Sequence, residues 1–178
     1  SRDIVSGRIL EEGAELIGLN HPYWIVLADL AGFALSVVTP EDEQGGGRLE
    51  SPLILDGTKY DADAQKHLYA AMNEVFQYWI DQSTVVKQPW APWTTPNAKA
   101  LDSQSLAQNI PPGTPVDVIA AIETEFELNN TTAISDQSWL ANLAQFQAGG
   151  GKHFFDDTQF FRCAAGNQQL ATWLADGI

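Results

Sequence analysis

The sequence predicts a mainly helical α+β fold in one domain, with a few short strands and a β-hairpin. Apolar residues recur at steps of three and four over long stretches, as at Leu68, Met72, Val75 and Trp79, which is typical of amphipathic helices. Strand-type runs are short, and one pair is joined by Asp56-Gly57, a hairpin turn signal. A length of 178 residues with 44% hydrophobic residues is sufficient for a domain with its own core.

The first forty residues predict a bent extended segment at 7–18, a helix and a strand at 33–38. Pro22 stands at the first position of the helix, after Asn20 or His21 as its cap, and Gly32 ends it. The apolar stripe of this helix comprises Trp24, Leu27, Leu30 and Ala31. The acidic, glycine-rich residues 41–50 predict a mobile loop.

The central part predicts the hairpin at 53–60 and a long helix from Asp61 to about Ser83, with acidic residues at its positive N-terminal end. The Pro-Trp-Ala-Pro-Trp stretch at 89–93 leaves two interpretations open. A structural plug with both indoles buried is favoured, because large aromatic side chains usually bury area. A ligand platform formed by Trp90 and Trp93 is the alternative.

The C-terminal part predicts further helices. One opens at Pro115 and ends at Asn129-Asn130, and the next is capped by Ser135 and ends in the glycines at 149–151. The buried face of the second of these comprises Trp139, Leu140, Leu143 and Phe146. The last helix is expected to place Leu170, Trp173 and Leu174 on one face.

A net charge of −14 argues against nucleic acid and anionic membrane surfaces as partners, because no basic patch is present. No apolar run reaches the roughly 18–20 residues of a membrane span, and no signal peptide opens the chain, so a cytoplasmic location is expected. Cys163 is a lone cysteine, read as a buried structural thiol, and the three histidines lie far apart. We therefore predict no metal site and assign no catalytic residue.

The segment 161–171 carries the most specific pattern. A short aromatic run ends at the small residues 164–166, and a helix follows directly. Small residues let backbone approach backbone or a ligand closely, and a helix start presents free N–H groups. The pattern predicts a packing corner beside a bound cofactor.

This segment resembles the R-x-x-G-G-(x)-(x)-Q-x-L motif of flavin-dependent amine and amino-acid oxidases, with Ala165 in place of the first glycine. The segment from Glu12 to Gly18 resembles the strand that follows the first dinucleotide-binding unit of that family. Leu101 to Leu106 is similar to a motif of its helical substrate domain. Together the three matches span nearly the whole chain in the family's order.

The resemblance implies that residues 1–178 are the substrate-binding, helical domain of a larger FAD-dependent oxidase. The family's G-x-G-x-x-G unit and its C-terminal flavin segment are not in the sequence, so we expect the rest of the parent chain as a partner. The implied cofactor is FAD in the parent protein, not retained by this chain, and the implied substrate is a small amine or L-amino acid.

The resemblance also implies site residues. The flavin-facing strand falls on Gly13, Ala14, Glu15 and Leu16, and the substrate-binding positions fall on Asn20 and Gln159. Asn20 stands where several L-amino-acid oxidases carry an arginine that binds the substrate carboxylate, so an amino-acid substrate is in doubt. Arg162 is read as structural, binding carbonyls or carboxylates near the small residues. The alternative function is a cofactor-free helical interaction or ligand-binding module.

Overall fold

The computed structural model describes residues 2–5, 8–11, 13, 15–38, 52–157 and 159–177. The helices are Pro22–Leu30 (α1), Ala62–Ser83 (α2), Ala98–Asp102 (α3), Val116–Asn130 (α4), Trp139–Ala148 (α5), His153–Asp156 (α6) and Gln168–Asp176 (α7). The strands are Arg2–Val5 (β1), Arg8–Leu10 (β2), Leu35–Val37 (β3), Ile54–Leu55 (β4), Thr58–Lys59 (β5) and Phe161–Cys163 (β6). The mainly helical α+β class is confirmed.

Within this fold the chain divides into two compact units. The helical unit is Leu49–Lys152, and the split unit combines Ser1–Arg48 with His153–Ile178. The strands form antiparallel pairs, β1 with β2, β3 with β6, and β4 with β5. The predicted hairpin is the β4–β5 pair, whose two turn residues have φ of 48° at Asp56 and 74° at Gly57. Positive φ at both positions is the geometry that an Asp-Gly turn supports.

The helical unit is organised around Trp79 of α2. The Trp79 side chain is fully buried, stacks on Phe146 at a ring-centroid distance of 6.0 Å, and donates from Nε1 to the carbonyl of Asn109 at 2.8 Å. The surrounding core comprises Leu68, Met72, Val75, Phe76, Val118, Ile122, Phe126, Trp139, Leu140 and Leu143. The apolar periodicity of α2 and α5 therefore predicted the inward faces correctly.

The sequence predicted the N-terminal end of α2 more closely than the N-terminal end of α5. Asp61 is the N-cap of α2, and its carboxylate accepts from the Ala64 amide at 2.8 Å. The N-cap of α5 is Ser138, whose Oγ accepts from the Ala141 amide at 3.2 Å, so the assignment to Ser135 is wrong. Ile134 is buried and a turn follows it, which postpones the helix by three residues.

Helix α1 ends as predicted, because Gly32 has a φ of 72° and the chain turns back there, with the Phe33 amide donating to the Ala28 carbonyl at 2.8 Å. Its buried face was predicted less well. Ala28 is fully buried, whereas Leu30, placed on the inward stripe, is 69% exposed. His21 holds the N-cap position without a side-chain cap bond.

The plug interpretation of 89–93 is wrong. Trp90 is 76% and Trp93 is 71% exposed, and the buried side chain of this loop is Thr95. On α7, Leu170 is buried, but Trp173 and Leu174 remain partly exposed. The loop predicted at 41–50 lies outside the described residues. Every helix in the described ranges is too short or too polar to cross a lipid bilayer.

Candidate functional site

In the split unit, Ile17 forms an antiparallel β-bridge with Phe161. The Ile17 amide donates to the Phe161 carbonyl at 2.8 Å, and the Phe161 amide donates back to the Ile17 carbonyl at 2.7 Å. The Leu19 amide donates to the Asp157 carbonyl at 2.7 Å. Ile17 is 1% exposed. This buried, paired residue therefore fixes the chain directly after the segment predicted to face a cofactor.

The opposite edge of β6 pairs with β3, with Leu35 opposite Cys163 and Val37 opposite Phe161. Strand β6 therefore lies between the N-terminal segment and β3. This position explains how a three-residue strand is held in place: both of its edges have backbone hydrogen-bond partners.

The predicted corner follows β6 directly. Gly166 is buried and has a φ of 94°, a backbone conformation that side chains with a Cβ rarely adopt. Its carbonyl accepts from Gln169 Nε2 at 3.0 Å, and the Cys163 amide donates to Asn167 Oδ1 at 3.2 Å. Cys163 itself is a free, buried thiol, as predicted. The small residues thus allow a tight turn between β6 and α7.

Four polar residues join this corner to the N-terminal segment, and we call them the Asn167 cluster: Glu11, Glu15, Arg162 and Asn167. The guanidinium of Arg162 forms an ion pair with the Glu15 carboxylate. Asn167 Nδ2 donates to the Glu15 carbonyl at 3.0 Å, and the Asn167 amide donates to Glu11 Oε1 at 2.6 Å. Arg162 therefore binds a carboxylate beside the small residues, as predicted.

The Asn167 cluster contains two carboxylates and one guanidinium, and its ion pair is exposed. About half of the Arg162 and Glu15 side chains remains accessible, at 48% and 43%. An ion pair this exposed contributes about 0–1 kcal/mol. The directed hydrogen bonds of Asn167, which is half-buried, therefore carry more of the geometric constraint than the ion pair does.

The predicted cofactor-facing residues are placed as follows. Gly13 is exposed, and a Cβ added there would meet nothing within 4 Å. Glu15 and Leu16 are half-buried, and Ala14 lies outside the described residues.

The predicted substrate-binding residues lie on the two paired segments. Asn20 is half-buried in the turn before α1, and Gln159 is exposed beside Phe160. Next to Asn20, His21 Nδ1 accepts from the Gly18 amide at 2.9 Å, which closes that turn. The backbone bonds between 17–19 and 157–161 bring the two segments together, which sequence spacing alone does not show.

Sequence reasoning missed Glu11 and the role of Asn167. The two residues are separated by 156 positions, and no local pattern links an asparagine before a helix to such a distant carboxylate. In the described part of the chain, no group of three or more His, Cys, Asp or Glu side chains could hold a metal ion.

Two groups of the helical unit have shifted pKa values. Loss of hydration, reinforced by the Asp117 carboxylate 3.4 Å from its hydroxyl, raises the pKa of Tyr60. Burial raises the pKa of the Glu125 carboxyl. The raised pKa of Glu125 follows from burial alone and that of Tyr60 from lost hydration and one neighbouring carboxylate, so we assign these shifts to packing and not to catalysis.

Comparison with known proteins bears on this arrangement. No protein-family model and no curated protein matches the sequence. Among solved structures, putrescine oxidase bound to putrescine matches 98% of this chain with a TM-score of 0.71 and 21% identity. A triple mutant of putrescine oxidase, redesigned in its cofactor binding, matches with the same TM-score, identity and coverage. Cyclohexylamine oxidase from Brevibacterium oxydans IH-35A matches 94% with a TM-score of 0.66 and 18% identity.

The chain shares its fold with part of these amine oxidases. It spans 40% of the putrescine oxidase chain and 38% of the cyclohexylamine oxidase chain, and therefore about two fifths of the length of these structures. At 18–21% identity the similarity establishes the fold alone.

Proposed function

We propose that this chain is the substrate-domain part of an FAD-dependent oxidase that acts on small amines. The observation that carries the proposal is the fold, shared over 94–98% of the chain with two amine oxidases. The Arg162 corner adds support, because it joins the two segments whose sequences resemble flavin oxidases.

The described residues fit a planar, anionic cofactor in two respects. The backbone at Gly13 is open on the side where a side chain would stand, so a ring system can approach it closely. The Glu15 carboxylate is paired with Arg162, so it presents no uncompensated negative charge to a phosphate-bearing ligand. Gly13, Glu15 and Leu16, with Ala14 between them, are the residues that would hold the flavin edge.

The cofactor's pyrophosphate needs a different site. The first amide at the start of α7 donates to Glu11 Oε1, so a carboxylate of this chain already takes the position that an anion would occupy. We therefore expect the pyrophosphate contacts to come from the rest of the parent chain. FAD, when bound, supplies the redox chemistry by accepting a hydride from the amine carbon and passing electrons to oxygen.

An amine is favoured over an L-amino acid as the substrate. Recognition of an α-carboxylate calls for an arginine that can form two parallel hydrogen bonds. In the split unit, the guanidinium of Arg162 is engaged by Glu15, and the aligned substrate position is Asn20. We propose that Asn20 and Gln159 line the substrate cavity as neutral hydrogen-bonding groups.

The test compares the isolated chain with the protein that its whole gene encodes. We expect the full protein to be yellow, to contain stoichiometric FAD and to form hydrogen peroxide with putrescine or cyclohexylamine. We expect the isolated 178-residue chain to be colourless, because most of the buried cofactor area is missing. A full protein without flavin, or without amine-dependent peroxide formation, would overturn the proposal.

One observation favours the second candidate, a cofactor-free ligand-binding module. Trp90 and Trp93 expose most of their indole surfaces on one proline-rich loop, and exposed aromatic rings are common at binding sites. Trp90→Ala with Trp93→Ala separates the candidates. Under the amine oxidase proposal, the double variant keeps its flavin and its turnover, whereas a ligand platform requires both indoles.

A further inference from the structure

Asn167 connects three backbone elements that are distant in sequence. Its Oδ1 accepts from the Cys163 amide at the end of β6, its Nδ2 donates to the Glu15 carbonyl, and its own amide donates to Glu11. The distances are 3.2, 3.0 and 2.6 Å, all within the normal hydrogen-bond range. The Asn167 side chain thus joins the end of β6 to the Glu15 carbonyl, and the Asn167 backbone amide adds a bond to the Glu11 carboxylate.

One of these bonds precedes the residues assigned to the cofactor and one falls on them. Glu11 lies two positions before Gly13, and Glu15 is itself one of the assigned residues. Ile17, which follows Leu16, is fixed by its backbone pairing with Phe161. Glu11, Glu15 and Ile17 are therefore each held by a hydrogen bond, and the Asn167 side chain supplies the bond to Glu15.

A carbonyl fixed by a side-chain amide has its whole peptide plane fixed, because the peptide unit is planar. The bond to the Glu15 carbonyl therefore sets the orientation of the Leu16 amide as well. Pre-organised backbone lowers the entropy lost on binding, which raises affinity without adding a contact to the ligand.

We infer that Asn167 is a positioning residue for Glu15 and Leu16, two of the residues assigned to the cofactor. The inference rests on the proposed function for the identity of the cofactor, but not for the hydrogen bonds that hold these residues. The Asn167 side chain acts through the Glu15 carbonyl, and it is not placed in contact with the cofactor itself.

A matched control is available within the same turn. Gln169 is also half-buried and also carries a side-chain amide, which donates to the Gly166 carbonyl at 3.0 Å and lies 3.6 Å from the Cys163 sulfur. These partners are all internal to the corner. Gln169→Ala therefore removes a bond of the same kind without releasing the segment 11–16.

The first experiment measures amide hydrogen exchange at residues 15–17 in the 178-residue chain. We expect Asn167→Ala to speed this exchange about tenfold, because the side-chain hydrogen bond to the Glu15 carbonyl is lost, whereas the backbone amide that donates to Glu11 remains. Gln169→Ala is expected to leave it near the wild-type rate. Equal rates in Asn167→Ala and the wild type would overturn the inference.

The second experiment measures the dissociation constant of FAD in the full protein. We expect Asn167→Ala to weaken FAD binding about tenfold, with the melting temperature lowered no more than in Gln169→Ala. If Asn167→Ala does not fold, Asn167→Ser replaces it, because a serine hydroxyl is too short to reach the Glu15 carbonyl.

The two experiments separate the two proposals. A wild-type protein that binds no FAD would refute the proposed function, and the exchange rates would then decide the role of Asn167 alone. A wild-type protein that binds FAD, with unchanged affinity in Asn167→Ala, would overturn the positioning role while leaving the proposed function intact.

Discussion

The helical unit and the split unit are stabilised in different ways. The helical unit buries a connected aromatic core, in which Trp79 contacts the rings of Phe76, Phe126, Trp139 and Phe146. The split unit buries smaller residues, Ile17, Ala28, Cys163 and Leu170, and joins its segments through backbone pairing and the Asn167 cluster. It also leaves large apolar side chains exposed on α1, with Tyr23 at 85%.

This difference predicts which kind of substitution lowers the stability of each unit most. Burial of a large side chain contributes on the order of 2–3 kcal/mol and does not depend on direction. A hydrogen bond contributes about 1 kcal/mol and depends on an exact backbone geometry. The helical unit should therefore respond most to lost volume, and the split unit to changes in backbone conformation.

The largest effect is expected at Trp79. Trp79→Ala removes a fully buried indole and leaves the Asn109 carbonyl without its 2.8 Å donor. Removing a large aromatic core residue costs about 3–5 kcal/mol. Urea unfolding followed by circular dichroism measures the loss.

Trp90→Ala is the control and should change the free energy of unfolding by less than about 0.5 kcal/mol, because that indole is exposed. Equal losses in the two variants would show that the core assignment is wrong.

The next largest effect is expected from a substitution that opposes the backbone conformation of Gly166 in the split unit. Gly166→Val places a β-branched side chain at a φ of 94° in a buried turn, and we expect a cost of about 1–3 kcal/mol. Amide exchange should accelerate at residues 15–17 and 161–163 while α2 keeps its protection. Gly166→Asn is the control, because asparagine tolerates positive φ better. Unchanged exchange in Gly166→Val would mean that the corner does not need glycine.

A smaller effect separates the two candidate caps of α5. Ser138→Ala removes the acceptor for the Ala141 amide and a 2.6 Å donor to Asp102 Oδ1, so it should cost about 1 kcal/mol. Ser135→Ala should have no measurable effect, because Ser135 is exposed in the preceding turn. Thermal melting of both variants makes the comparison. A larger loss in Ser135→Ala would restore the cap that the sequence favoured.

The smallest effect depends on pH. Burial raises the pKa of Glu125 in the folded state, so folding disfavours its ionised form. Its protonated form is favoured at low pH, and stability falls as the pH rises from the usual glutamate pKa through the raised one. Glu125→Gln should therefore increase the free energy of unfolding at neutral pH by less than about 0.5 kcal/mol.

The same substitution should give no gain below the usual pKa of a glutamate, where the native side chain is already neutral. Glu123→Gln, on the exposed side of α4, is the control for removing one charge from an acidic chain. Denaturant midpoints of both variants across acid and neutral pH provide the measurement. A gain for Glu125→Gln that stays constant with pH would contradict the burial of this carboxyl.

The amino-acid sequence by itself determined most of the helical unit. The 3- and 4-residue spacing of Leu68, Met72 and Val75 defines an inward face whatever that face packs against. Asp56-Gly57 and Asp61 act on their immediate neighbours. The end of α1 at Gly32 and the turn at the small residues 164–166 were also predictable from the sequence, because the conformational freedom of the backbone is a local property.

Only the tertiary structure decided which aromatic residues are buried and which polar residues meet. Trp79 and Trp90 are the same residue type in similarly apolar stretches, yet one is enclosed by α4 and α5 and the other lies on an open loop. Asn167 meets Glu11 and Glu15 across about 150 residues because Phe161 of β6 pairs with Ile17. Periodicity and capping act over a few residues, whereas burial and long-range hydrogen bonds depend on which segments the fold brings together.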